Sequence, residues 1–506
     1  MKESNMKKYI NFLFICGYSM INAIFIYFHE PWRDEAQVWL LARDLPVWKL
    51  PVWMSYEGHP CLWHFMVCPF AKLGFPYITL NIISLVVMVG AVTVLLYKGQ
   101  FPVYIKLAIV FSPICMYWYP VVARNYCLIA LFLFLLATYF PERKERPFLY
   151  TALIALLVQT HVIMIMTAFV LSACFGIEGL LEIWRIHRID SKRYVDIVKS
   201  RGKWCTALLL PLFSAAFLTF QMMNIQSSSL LVIDSADLFT VMKKIWITAV
   251  KGIQSVIGGG STQGNIFLFT GLLLLIIFAV KKKNCAEKWT AFFTISCTFL
   301  FQFWMYAMAY RYSKHRLIAL VLVIIWGMWI NWEDKNKINS SFGSVLHKGY
   351  QYIVGLLLSI VCILALVHDY HTIMEDISEP YSNGKGAAAF IEENIQDNAV
   401  IMTDAQPECS SVFPYLEKKD FLYAPNGDRY TFVTWDDRYN MQMEYDDFIK
   451  YAAEFDSGGK PIYLISAMGH SCIRDAERLP ESFALLYQSP YASLKEEDYQ
   501  IYILRK

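Results

Sequence analysis

Eleven apolar stretches fill the first 368 residues of this 506-residue chain and constrain its fold more than any other feature. A bilayer core takes about 20 apolar residues per helix, and a packed bundle tolerates shorter spans. The stretches lie near residues 9–28, 77–97, 103–119, 122–140, 147–160, 162–184, 204–224, 265–280, 289–309, 316–331 and 350–368. With 57% hydrophobic and only 17% charged residues, the chain is too apolar for an ordinary soluble protein. The pattern predicts a polytopic α-helical membrane protein of 11 transmembrane helices.

Charge divides the chain in two. Residues 369–506 carry 12 Lys and Arg against 25 Asp and Glu, whereas residues 1–368 carry 33 against 17. Short cytoplasmic loops retain positive charge. With the N-terminus inside, 22 Lys and Arg fall in the inner segments and 10 in the outer loops. An odd number of spans then puts the acidic tail outside. The expectation is a multi-pass protein of the cell membrane, with a membrane domain at 1–368 and an extracytoplasmic domain at 369–506. The first stretch follows Lys7 and Lys8 like a signal peptide, but Phe28-His29-Glu30-Pro31 stands where a small-residue cleavage site belongs. It is expected to stay as a helix.

Two outer loops are long. Residues 29–76 carry Trp32, Trp39, Trp48, Trp53 and Trp63 among charged residues at helix-like spacing, which predicts interfacial helices with indoles at headgroup level. Residues 225–264 predict an interfacial helix over 236–255 and then a mobile Gly258-Gly259-Gly260-Ser261 loop. That run follows no strand, so it is no nucleotide cradle. The tail predicts helices over 387–394 and 445–455 and strands over 399–403, 421–424, 430–435, 461–466 and 499–504, a small α/β domain. The twelve cysteines lie mostly inside apolar runs and read as core residues; Cys409 and Cys472 could pair if the tail is outside.

Candidate chemistry gathers at the outer ends of the spans. Arg33-Asp34-Glu35 follows span one, and a helix with capping acids would account for it without any function. Tyr56-Glu57-Gly58-His59-Pro60-Cys61-Leu62-Trp63-His64 comes next, where Glu57 and His59 could bind a divalent cation or orient a phosphate. Two ligands make a weak metal site, and His161 is the candidate third. Arg124 and Tyr126 open the fourth span. Tyr310-Arg311-Tyr312-Ser313-Lys314-His315-Arg316 concentrates positive charge in one outer loop, which asks for an anionic partner; a lipid phosphate, held specifically or as a headgroup, is the simplest.

This set of short motifs resembles the polyprenyl-phosphate-dependent membrane glycosyltransferases of the GT-C class, closest to the protein mannosyltransferases and the aminoarabinose transferase of lipid A. The resemblance covers about residues 1–330. It implies a GT-C fold and transfer, with inversion, of a sugar from a polyprenyl-phosphate donor to an acceptor glycan, lipid or protein. Asp34 looks like the family's catalytic aspartate, with Glu35 beside it, and Glu57 like its metal-binding glutamate. His59, Arg124, Tyr126, Arg311, His315 and Arg316 would hold the donor phosphate. The sequence departs from the pattern at Cys61, where many members have a second Pro, and at His59, where the aminoarabinose group has a Lys. No nucleotide cofactor and no nucleic-acid partner is expected.

Other classes compete. A lipid-linked-saccharide flippase would line a path with ionisable residues mid-span, and here the mid-spans are almost uncharged. A polysaccharide polymerase or ligase would place arginines in a late outer loop, whereas residues 225–264 have only Lys243, Lys244 and Lys251. A binding or signalling protein working through its acidic tail is excluded by no sequence feature.

Overall fold

The computed structural model describes residues 2–190, 202–223, 237–280, 286–308, 313–332, 342–416, 419–435, 443–467, 471–473 and 480–505. Eight helices among them are long and apolar enough to cross a bilayer: Lys8–Phe28, Thr79–Lys98, Val162–Arg188, Gly202–Met222, Ser261–Ala279, Ala286–Met308, Lys314–Asn331 and Lys348–Ser378. Two shorter apolar helices, Tyr126–Tyr139 and Pro147–Val158, match two further expected spans.

The expected span at 103–119 is corrected. A helix covers Val103–Val110 and a separate π-helical turn covers Ile114–Trp118. Pro113 explains the break, because it has no amide hydrogen and its ring clashes with the carbonyl four residues back. Hydropathy cannot register that.

The elements that build the site are α1 (Lys2–Phe28), α2 (Arg33–Asp44), α3 (Leu50–Glu57), α4 (Leu62–Lys72), α5 (Thr79–Lys98), α6 (Val103–Val110), α7 (Tyr126–Tyr139), α8 (Pro147–Val158), α9 (Ile165–Asp190), α10 (Leu209–Met222), α11 (Leu238–Ile257), α12 (Ser261–Val280), α13 (Ala286–Met308), α14 (Lys314–Asn331) and α15 (Phe342–Ser378). Helix α7 sits centrally, packed on α5, α8 and α14, and α13 packs on α9 and α14. Burial follows the apolar pattern: α7 buries Leu128, Ile129, Leu133 and Leu136 completely or nearly so. The expected boundary at 368/369 falls inside α15, which continues without interruption to Ser378.

The loop at 29–76 is not a set of indoles at headgroup level. Trp48 is exposed, but Trp39 and Trp63 are buried, because α2 packs its apolar face on α4. Gly258, at φ +76°, ends α11, and a Cβ there would meet His368 Nδ1 at 2.9 Å, so the glycine makes a close turn that other residues would strain.

The C-terminal region carries a five-stranded sheet in the order β2-β1-β3-β5-β4, with β1 (Val400–Thr403), β2 (Asp420–Tyr423), β3 (Ile462–Ala467), β4 (Phe483–Gln488) and β5 (Tyr499–Leu504). Strand β1 runs parallel to β2 and β3, whereas β5 runs antiparallel to β3 and β4. Helices α16 (Gly384–Asn394) and α18 (Tyr445–Glu454) flank it, with the single turn α17 (Gln406–Cys409) between. The expected strand at 430–435 is absent. That segment spends its backbone on a side chain of α2, as described below. Cys409 and Cys472 are free thiols rather than a disulfide.

Candidate active site

Three consecutive residues at the start of α2 face three directions, since helix residues step by about 100°. Arg33 turns to the C-terminal region, reaching Glu408 at 2.9 Å and Glu496 at 3.0 Å. Glu35 turns inward and is fully buried. One of its oxygens accepts from Asn81 Nδ2 (3.1 Å) and the Ala123 amide (2.7 Å), and the other meets His29 Nε2 at 3.0 Å. Asp34 alone keeps part of its carboxylate accessible, and it pairs with Arg124.

The remaining candidates converge on that pair. Arg124 precedes α7, and its guanidinium lies 6.0 Å from the Tyr126 ring. Arg316, in the first turn of α14, donates from Nε to the Tyr126 hydroxyl at 3.3 Å, and the His315 ring is 5.2 Å from the same tyrosine. His161, between α8 and α9, stacks on the other side at 5.3 Å. A row of rings runs from Tyr119 through Tyr126 and His161 to His59 and His64, with centroid spacings of 5.7, 5.3, 6.3 and 5.5 Å, stacked at every step except the tilted one between His161 and His59. Arg311 lies outside the described residues.

Glu57 ends α3, and Gly58 adopts the left-handed conformation (φ 68°) that lets the chain reverse before Pro60. Gln37 Nε2 donates to Glu57 at 2.7 Å and also to the Val433 carbonyl at 2.7 Å, while its oxygen accepts from the Val433 amide at 2.8 Å. One α2 side chain thereby ties the 430–435 segment to the site.

Electrostatics sort these groups. Burial works to raise Asp34, but the charge of Arg124 and then that of Arg33 outweigh it and hold the carboxyl below its usual range. Glu57 is pushed up to about 7 by burial, against the Gln37 hydrogen bond. His59 is pushed down to about 4 by burial and by the Arg124 charge. The site therefore holds an ionised carboxylate, a carboxyl that titrates near neutrality, a neutral imidazole and the cations Arg124 and Arg316.

Gln37 takes one oxygen of Glu57, His59 Nε2 stands 3.9 Å from the other, and both nitrogens of His161 are engaged, by the Ile163 amide and by Tyr126. Among the described residues no three His, Cys, Asp or Glu side chains come together as a metal site. No step below is routed through a metal.

Sequence reasoning missed the support behind the site. His29 bridges Glu35 and Asp376 of α15 (2.8 Å), and Tyr117 donates to Asp376 at 2.8 Å. Burial opposes charge on His29, but Asp376 and then Glu35 outweigh it and hold the ring protonated well above its usual range. Asp369, seven residues before Asp376, accepts from Trp118 Nε1 at 2.7 Å and pairs with Lys314. Two acids seven apart share one face of a helix, and acids in an apolar span mark a buried partner; that signal was present in the sequence.

A cavity of about 530 Å³, lined almost wholly by apolar side chains, lies among α11, α12, α13, α14 and α15, and none of the residues of this cluster lines it. Its wall on α14 is Leu317, Leu320, Val321, Ile324 and Met328. It begins one residue beyond Arg316 and reaches Asn331, a rise of about 21 Å along the helix.

No protein-family model matches this chain, and no curated protein matches it.

Proposed function

We propose that the chain is an inverting glycosyltransferase of the membrane that moves a sugar from a polyprenyl-phosphate donor to an acceptor hydroxyl on the outer face. The observation that supports this reading is the meeting of Asp34, Arg124, Tyr126, His315 and Arg316, from three separated segments, next to apolar helices. An anionic headgroup would suit those cations, and the surrounding apolar helices a long apolar tail. The outer placement rests on the charge bias between the loops.

The chemistry follows from the pairing. Donor phosphate would compete with Asp34 for Arg124, since a guanidinium binds phosphate through two hydrogen bonds. Asp34, released from its counter-ion, becomes a stronger base and accepts the acceptor's proton as that oxygen attacks the anomeric carbon. The bond from that carbon to the phosphate oxygen breaks with its electron pair on the oxygen. Arg124 and Arg316 stabilise the charge that develops there. One displacement inverts the anomeric carbon. Glycoside and polyprenyl phosphate leave, and the proton passes from Asp34 to water.

The test is transfer by the full chain in proteoliposomes supplied with a panel of radiolabelled polyprenyl-phosphate sugars, read as label leaving the donor together with free polyprenyl phosphate. Release of both from at least one donor, with the inverted anomer in the product, is expected. Intact donors across the whole panel, with water, lipid and peptide acceptors all present, would overturn the reading.

A further inference from the structure

Among the described residues the hydroxyl of Tyr126 meets two nitrogens, His161 Nε2 and Arg316 Nε, and no acceptor oxygen. His161 Nδ1 accepts the Ile163 amide at 3.2 Å, so that nitrogen carries no proton. The neutral ring must then hold its proton on Nε2, which lies 3.4 Å from Tyr126 Oη. Arg316 Nε–H reaches the same oxygen at 3.3 Å. Both lone pairs of Oη are taken, and its own proton has to point elsewhere. Among the described residues no acceptor meets it, although Tyr126 is fully buried. A buried donor left without a partner is destabilising, so the arrangement calls for an acceptor beyond the described residues.

The surroundings specify that acceptor. The phenol cannot swing away, because it is stacked between Tyr119 (17° between planes) and His161 (23°). Arg124 and Arg316 flank it, so an anionic oxygen is favoured over a neutral one. We propose that His161 is a positioning residue which, by fixing its own tautomer, forces the Tyr126 proton onto an oxygen of the bound phosphate. This rests on the donor reading above and assigns His161 a role other than metal ligation.

The experiment measures binding of a polyprenyl monophosphate and of the matching uncharged polyprenol to the full chain in nanodiscs, for wild type, Tyr126→Phe, His161→Phe, His161→Gln and the Tyr126→Phe/His161→Phe double variant. Tyr126→Phe is expected to weaken monophosphate binding about tenfold, the loss of one hydrogen bond to a charged group, and to leave polyprenol binding unchanged. His161→Phe is expected to weaken monophosphate binding about threefold in the wild-type background and to add nothing in the Tyr126→Phe background, the signature of a residue that acts through another. His161→Gln, which retains a side-chain N–H, should recover most of that loss. Wild-type monophosphate binding in Tyr126→Phe, equal losses for the alcohol, or additive losses in the double variant would overturn the inference while leaving sugar transfer by the wild type in place. A wild type that does not prefer phosphate to alcohol would remove the donor reading as well.

Discussion

Asp34 and Glu35 are neighbours in sequence and opposites in surroundings. Glu35 spends both carboxylate oxygens on Asn81, the Ala123 amide and His29, and through His29 it reaches Asp376 and Tyr117. Asp34 has one strong partner, Arg124, and keeps part of its side chain accessible. The first network ties α2, α5, the approach to α7, and α15 together. The second leaves the Asp34 side chain partly accessible. A buried charge that is fully met builds structure, whereas one that is half met is available for chemistry. The two are coupled: by gripping the Ala123 amide, Glu35 also fixes the backbone next to Arg124, so the closed network holds the open one in register.

The sharpest way to break this contrast is to exchange the defects. Asp34→Asn should lower transfer by about 10²–10⁴, the scale of a lost general base, with the melting temperature close to wild type. Glu35→Ala should instead lower stability by about 3–5 kcal/mol, because it leaves a buried protonated His29 with one counter-ion fewer. Transfer assays and thermal melts on both variants check the pair. Unfolding of Asp34→Asn, or full stability of Glu35→Ala, would erase the distinction.

A smaller effect probes the link from the 430–435 segment. Gln37→Leu removes two hydrogen bonds to Val433 and one to Glu57, and should cost about 1–3 kcal/mol by leaving buried partners unmet. Glu57, without that hydrogen bond, should titrate above its present value of about 7. Thermal melts give the first number, and carboxyl difference infrared spectra across pH give the second.

The contrast also has a pH signature. His29 is held protonated above its usual range, so the stability it contributes is fully present below about pH 6.5 and is lost as pH rises through its raised folded value. Melts from about pH 6 to about pH 10 should show wild type losing more stability than His29→Asn. The opposite slope would mean that His29 is buried neutral.

What the sequence revealed depends on which force sets each feature. Helices such as α5 and α13 are specified by local composition, since a continuous apolar run of that length has few alternatives in a bilayer. The break at Pro113 is backbone chemistry inside an apolar run, which the hydropathy reading passed over. Strand β4 escaped because it is an edge strand, half exposed and with a register shift between Leu485 and Tyr487, so it lacks a regular alternation. The 430–435 segment misled for the reverse reason: its residues favour strands, but its Val433 backbone is bonded by Gln37 instead of a neighbouring strand. Among the site residues, Asp34, Arg124, Tyr126, His315 and Arg316 were legible as charges or rings out of place at span ends. Which of Asp34 and Glu35 faces the site was not, since periodicity separates the two by an angle and only packing against Asn81 and Ala123 fixes the direction.

The central claim is that Asp34 takes the acceptor's proton in a sugar transfer. Its most direct test is single-turnover transfer from a radiolabelled polyprenyl-phosphate sugar that the wild type uses, with donor binding measured on the same samples of wild type and Asp34→Asn. The account predicts donor binding within about threefold of wild type and a transfer rate lower by about 10²–10⁴. Transfer by Asp34→Asn at the wild-type rate would contradict it.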